Sequence, residues 1–184
     1  MLSKRIHNNF LFYNDKFRFR LIEYKDIECI RNWRNEQKSV LRQNQIISEQ
    51  EQEDYWNKEI LPTFDLDEPN KLLFSMENLN TNELLAYGGF VDIDWNKKHA
   101  ESSFLANTIY IENHKEYKIL FINYLDFLML VARKLKFSLI YSETYSFRKK
   151  HIEILEKYGY AQYGFIKKIA KSDNFSKLHQ YSFK

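Results

Sequence analysis

The longest apolar stretch of this chain, Ile119 to Ala132, is interrupted by Asn123 and Asp126. A membrane-spanning helix needs about 20 apolar residues, so this stretch falls short of a bilayer. Taken with its flanks, Tyr117 to Leu135 reads as the longest helix, apolar on more than one face. Such a helix has to be covered on several sides, as happens when it lies against a sheet. The rest of the chain must then supply that sheet.

It does so in segments with a period of two. FRFRLIEY alternates Phe17, Phe19 and Leu21 with Arg18 and Arg20, which predicts a half-buried first strand. KLLFSMEN and ELLAYGGFVDID, joined by the Asn-rich LNTN, predict an antiparallel hairpin. WNKKH is a further turn, leading to a strand over AESSFLANTIYI. FSLIYSET reads as a short buried strand, and AQYGFIKKIA and FSKLHQYSF as two closing strands.

Helices punctuate these strands. Asp26 stands at an N-cap position before Ile27, Ile30 and Trp33, and this helix ends in RNWRN. Ser48 and Glu51 have capping-box form, with Tyr55, Trp56 and Ile60 as the apolar face and Leu61-Pro62 as the stop. FRKKHIEILEKYGY predicts a last helix closed by Gly159. The order β-α-α-β-β-β-α-β-α-β-β is mixed α/β (α+β), a mostly antiparallel sheet of about seven strands flanked by about four helices. Residues 1–184 are expected to form a single domain.

Composition narrows the function classes. Net charge is +3, from 28 basic and 25 acidic residues, which demands no nucleic-acid or membrane partner but permits an anionic ligand. The single Cys29 excludes an internal disulfide and is expected in the core of the first helix. The opening MLSKRIHNNFLFYNDKF has no uninterrupted apolar run and does not read as a secretory signal, so a cytoplasmic protein is expected, monomeric or homodimeric. The histidines and Cys29 lack zinc-ligand spacing, so no metal is expected, and Ser102-Ser103 lacks the glycines of a nucleophile elbow. Lysines among the C-terminal aromatics are explained as the solvent face of alternating strands rather than a nucleic-acid surface.

Two segments carry a family likeness. FRKKHIEILEKYGYAQYGF, through Leu155, Glu156, Lys157, Gly159 and Tyr160, resembles the closing motif of the GNAT-type N-acyltransferases. NWRNEQKSVLRQNQIISEQEQEDYW, through Trp33, Arg34, Asn35, Ile47, Ser48 and Trp56, resembles the acceptor-side helices of sugar-nucleotide and ribosomal-protein N-acetyltransferases. AYGGFVDIDWNKKHAESSFL is similar to the central hairpin that follows, so the likeness runs from about Phe17 to Phe183. The finer flavour is that of enzymes acetylating an amino group on a nucleotide-linked deoxy-sugar, such as those of the pseudaminic acid pathway.

The resemblance implies a GNAT fold, acetyl-CoA as co-substrate and a small-molecule primary amine as acceptor. It places Trp33, Arg34 and Asn35 near the acceptor, where Arg34 suits an anion, although a tie between helix and sheet explains Arg34 equally well. It assigns the thioester and pantetheine arm to backbone groups of Thr108, Ile109, Tyr110 and Ile111 on a splayed strand. The family's glycine-rich diphosphate loop is replaced by NHKEYKIL, and no glycine stands between Gly89 and Gly159. Tyr117 and Lys118 obstruct that approach, while Lys115 and Lys118 offer charge in place of backbone amides.

Arg148 holds the position of a CoA-contacting Asn and Leu155 that of the proton-donating Tyr, leaving Tyr158 or water as the substitute donor. Glu101 and His99 are the candidate bases, with Asp92 and Asp94 as rivals. Two other readings follow from the missing glycines: a GNAT-fold binding or regulatory protein without CoA-dependent catalysis, and an acyltransferase with an acyl-carrier-protein donor.

Overall fold

The computed structural model describes residues 12–166 and 176–183. Two strands, β1 (Phe12–Tyr13) and β2 (Phe17–Leu21), precede helices α1 (Ile27–Glu36) and α2 (Glu49–Tyr55). The strands β3 (Leu72–Asn78), β4 (Leu84–Asp94) and β5 (His99–Ala106) follow, then α3 (His114–Lys134), β6 (Leu139–Tyr145), α4 (Lys149–Tyr158), β7 (Ala161–Ile166) and β8 (Ser176–Ser182). They form one sheet in the order β1-β2-β3-β4-β5-β6-β8-β7, in which, among the described residues, only the β5–β6 pair is parallel. The mixed, mostly antiparallel architecture is thus the expected one, with the two-residue β1 added at the edge. Residues 167–170 and Phe175, expected in the closing strands, lie outside the described residues, as do residues 1–11 of the opening segment.

Strand alternation sends side chains to two faces. On one, Phe19, Leu72, Phe74, Met76 and Phe90 pack under α3. Phe127 of α3 stacks on Phe19 at 4.5 Å and meets Phe74 edge-on at 4.9 Å. On the other, Leu73 joins Ile22, Ile27, Ile30, Trp56 and Ile60 beneath α1 and α2. Asp26 stands at the N-cap position of α1 but makes no side-chain cap bond there. Its carboxylate is taken by the Arg20 fork at 2.6 and 2.7 Å and by Ser75 Oγ at 2.7 Å. Arg20 also binds buried Glu77, so one ionic cluster fastens α1 to the sheet.

Four local expectations are corrected. The strand expected through Ile111 ends at Ala106, because Asn107 Oδ1 accepts from Ile109 N–H and turns Thr108–Tyr110 into a 3₁₀ turn. The long helix starts at His114 rather than Tyr117, because Asn113 caps the amides of Lys115 and Glu116. The helix opened by the Ser48–Glu51 capping box does not stop at Leu61: a π-helical turn over Trp56–Ile60 widens it, and a 3₁₀ segment continues through Asp65. Cys29 is exposed, since Ile27, Ile30 and Trp33 set the buried face of α1 and residue 29 points away from it.

Two glycines on β4 let three strands close up. A Cβ on Gly88 would stand 2.1 Å from Ser103 O, and one on Gly89, whose φ is +140°, would stand 2.0 Å from Leu72 O. At the end of α4, Gly159 has a φ of +116°, and Tyr160 N–H reaches back to Leu155 O at 3.0 Å, closing the helix as its sequence anticipates.

Candidate active site

The site begins where a strand pair ends. β5 runs beside β4 along its whole length, but it pairs with β6 only over His99↔Leu139, Ala100↔Ile140 and Glu101↔Tyr141. Beyond Glu101 the two strands part, and the edges of Ser102–Ala106 and Ser142–Tyr145 face each other across a gap. Ser102, Ser103, Ser142 and Thr144 line this narrow cleft of ≈ 100 Å³. Small side chains there leave room for an extended ligand to take up backbone groups that no neighbouring strand engages.

Ionisable groups converge on the cleft. Glu101 is buried, and Arg42 bridges it to Glu143, donating to Glu143 Oε2 at 2.8 Å. Burial raises the Glu101 carboxyl above its ordinary value; Arg42 opposes this, and the negative Glu143 and Asp92 add to the rise. On the opposite wall His151 stacks on Phe121 at 4.3 Å, and its Nδ1 lies 2.8 Å from Tyr117 Oη. Arg148 Nη2 donates to the same phenol oxygen at 3.4 Å. Burial holds His151 well below its usual value, with Arg148 and His179 adding to the effect. Burial also keeps Tyr117 a neutral phenol, against a partial pull from Arg148.

Two larger cavities share walls with the cleft. One of ≈ 360 Å³ meets it at Val40, Arg148 and His151, and adds Ile111, Phe147, Lys149 and Lys150. Here the N-terminus of α4 lacks a side-chain cap and an acidic first-turn residue, yet carries three consecutive cations. Cations at the positive end of a helix are unfavourable unless an anion joins them. The other cavity, of ≈ 400 Å³, meets the cleft at Arg42 and Ser103 and lies against α1 and α2, with Arg34, Tyr55 and Tyr87 in its wall.

Of the residues singled out from sequence, Glu101 and Arg148 line the cleft, Tyr117 and Ile111 the basic cavity, and Arg34 the cavity under α1. Arg34 also donates to Tyr87 Oη at 3.2 Å, so it is the helix-to-sheet tie as well. The others stand elsewhere. Trp33 is buried in the core, and Asn35 pins the α1–α2 loop through Ile47 and Gln43. Thr108, Ile109 and Tyr110 occupy the 3₁₀ turn rather than the splayed strand, and Thr108 Oγ1 accepts from Gln37.

His99 sits at the start of β5 and lines none of these three cavities, nor do Lys115 and Lys118. Tyr158 donates to Asp126 at 2.8 Å and packs on Tyr181, away from the cleft; burial and Asp126 push its phenol up. Asp94 caps the turn through Lys97 N–H. Arg42, Glu143 and His151 were missed. His151 had a signal, a polar residue three and four positions before Ile154 and Leu155 on the apolar face of α4; Arg42, in an aperiodic loop, had none.

The half-open parallel strand pair thus lies between a cationic helix start and the cavity beneath α1 and α2. Residues 19–176 match the model of the acetyltransferase (GNAT) domain. The chain therefore belongs to the GNAT acetyltransferase family; it is an acyltransferase, and the donor that the family uses is acetyl-CoA.

No curated protein matches the sequence. Among solved structures, spermidine N-acetyltransferase from Vibrio cholerae in complex with CoA and spermine is similar, with a TM-score of 0.76 at 18% identity over 92% of this chain and 96% of that one. A dodecameric form of that enzyme in an intermediate state gives 0.71 at 18% identity, covering 92% of this chain and 95% of the other. These likenesses concern the fold, and none of the comparisons supports the narrower likeness to sugar-nucleotide or ribosomal-protein enzymes. Among the described residues no cluster of potential metal ligands occurs, and no helix is long and apolar enough to cross a membrane.

Proposed function

We propose that this chain N-acetylates a primary amine of a small molecule, with the thioester in the β5–β6 cleft. The carrying observation is the parting of β5 and β6 beside buried Glu101. Acetyl-CoA would supply an activated acyl carbon and a thiol leaving group. The chain's features fit it: the unpaired strand edges suit the arm, and Arg148, Lys149 and Lys150 suit the diphosphate, replacing the glycine-rich loop. The start of α3 is a poorer place for phosphate, because Asn113 already occupies its first amides. The reassignment moves the arm from Thr108–Ile111 to Ser102–Ala106 and the charge from Lys115 and Lys118 to α4.

Glu101, with its raised carboxyl, takes a proton from the bound ammonium and so frees the neutral amine that attacks the thioester carbon, and Arg42 holds the carboxylate in place. Backbone N–H groups on the free edge of β5 donate to the thioester oxygen as charge develops. His151 holds a proton at Nε2 for the departing thiolate; Tyr117 resupplies Nδ1, and its phenolate faces Arg148. This relay does the work that Leu155, apolar and buried, cannot do.

A nucleotide-linked amino sugar is the acceptor suggested by sequence, and a polyamine the one suggested by the structural neighbours. A carrier-protein donor is the second reading, favoured by the capped α3 start, since its phosphopantetheine arm needs only the cleft. Calorimetric titration with acetyl-CoA and with desulfo-CoA tests the donor site: one-to-one binding is expected, and silence at millimolar ligand sinks the CoA reading. In thiol-release assays Glu101→Gln is expected to lower kcat/KM at least about 10²-fold without loss of acetyl-CoA binding.

A further inference from the structure

Arg34 is a charge without a carboxylate partner among the described residues. It lies half-buried in the wall of the ≈ 400 Å³ cavity, and its partner among the described residues is the neutral Tyr87 hydroxyl, at 3.2 Å. No described carboxylate forms an ion pair with it. Arg42, the second guanidinium in that wall, is matched by Glu101 and Glu143. The carboxylate in the wall, Glu51, is engaged elsewhere: it accepts from Ser48 N–H at 2.8 Å, Ser48 Oγ at 2.9 Å and Gln45 at 3.2 Å, closing the α2 capping box. A guanidinium stays charged at any physiological pH, and removing it from bulk water without an anion is costly. Arg34 therefore offers the cavity a fixed positive charge, while Glu51, kept ionised by its hydrogen bonds, carries a negative charge elsewhere in the wall.

The position of Arg34 relative to the chemistry is set by register. Tyr87, which anchors Arg34, pairs with Leu105, while Gly89 pairs with Ser103, the residue shared by cavity and cleft. Two strand positions separate them, about 7 Å along the sheet. We infer that the acceptor is an amine bearing an anionic group, phosphate or carboxylate, a few bonds from the reacting nitrogen, and that Arg34 and Tyr87 bind that group. The inference rests on the acetyltransferase reading for its amine end only. A polycation such as spermine, bound by the Vibrio cholerae enzyme, would bring like charge to Arg34.

The test is calorimetric binding in the presence of CoA, using pairs of primary amines of which one member carries an added anionic group. The pairs are glucosamine 6-phosphate with glucosamine, UDP-glucosamine with glucosamine, and β-alanine with propylamine; spermidine is the polycationic comparison. At least one member carrying the anionic group should bind about tenfold or more tightly than its partner without it and more tightly than spermidine. Arg34→Gln should level that pair, and Arg34→Lys should keep part of the difference. Whether the phosphate or the carboxylate pair responds identifies the anion.

Equal affinities within every pair, or spermidine binding most tightly, would overturn the inference. If Arg34→Gln lowers the melting temperature, Tyr87→Phe replaces it and should narrow the same pair. Acetyl-CoA binding by the wild-type chain is measured alongside: if it holds while the pairs stay level, the anion site fails and the acetyltransferase reading survives. If it is absent while an Arg34-dependent preference persists, the reverse is true.

Discussion

The two faces of the sheet solve opposite problems. Under α3 the rings of Phe19, Phe74 and Phe127 fill the space, and Phe127 and Tyr124 are wholly buried. Under α1 and α2 the sheet keeps a ≈ 400 Å³ void walled by Arg34, Tyr55 and Tyr87. One face is filled by aromatic rings, and the other leaves space unfilled. Beside the void, α1 is held by the apolar contacts of Ile27 and Ile30 together with an ionic cluster, Arg20 with Asp26 and Glu77.

The sharpest way to break this contrast is to truncate one apolar side chain on each side of the sheet and compare the losses with the carbons removed. Phe127→Ala should lose about 3–5 kcal/mol in denaturant unfolding, because the cavity it leaves is closed on every side. Ile47→Ala, at a residue that already borders the open cavity, should lose less than about 1 kcal/mol. Equal losses would mean that the cavity under α1 collapses in solution.

The second test addresses the clamp. For Asp26, burial alone would raise the carboxyl, but hydrogen bonds from Arg20, Glu23 N–H and Ser75 outweigh it and hold the group below its usual range. Glu77 follows the same balance, with Arg20 and Arg18 as partners. A carboxyl with a lowered folded-state pKa contributes stability that is present above its unfolded value, about 4, and lost as pH falls through the folded one. Unfolding free energy should therefore decline on the acid side of about pH 4 in the wild type. Asp26→Asn should cost about 3 kcal/mol at neutral pH, since it leaves Arg20 short of a charge, and should make the acid limb shallower. Acceptor binding should weaken with it, because α1 carries Arg34; an unchanged acceptor affinity would show that α1 does not depend on the clamp.

The contrast also explains what the sequence made legible. The packed face was readable because it is periodic: Phe17, Phe19 and Leu21 on one strand and the multi-faced α3 announce burial without any knowledge of partners. The helix ends at Ser48 and Gly159 were readable because their chemistry is local. The end of β5 was not, since the β-branched and aromatic residues after Ala106 keep a strand's composition while the Asn107 side chain turns the backbone. The parting of β5 and β6 is a register event between segments about forty residues apart, and no local pattern encodes it. Glu101 could be placed through the family likeness, whereas Arg42 reaches the cleft from an aperiodic loop that only the tertiary structure brings there.

The smallest expected effect separates the donor space from the acceptor space. Lys149 and Lys150 both border the basic cavity at the start of α4, a position where cations are tolerated poorly unless an anion is bound. Each pairs with a solvent-facing phosphate at most, so screening limits its worth to about 1 kcal/mol or less. Lys149→Ala and Lys150→Ala should each weaken acetyl-CoA binding a few-fold, the double change should approach about tenfold, and raising salt from 50 to 300 mM should shrink the difference. Removing like charges from a helix N-terminus should at the same time leave the melting temperature unchanged or slightly higher. If both variants bound acetyl-CoA as the wild type does, the diphosphate would have to sit at the Asn113-capped start of α3. The family's usual loop would then persist here without its glycines.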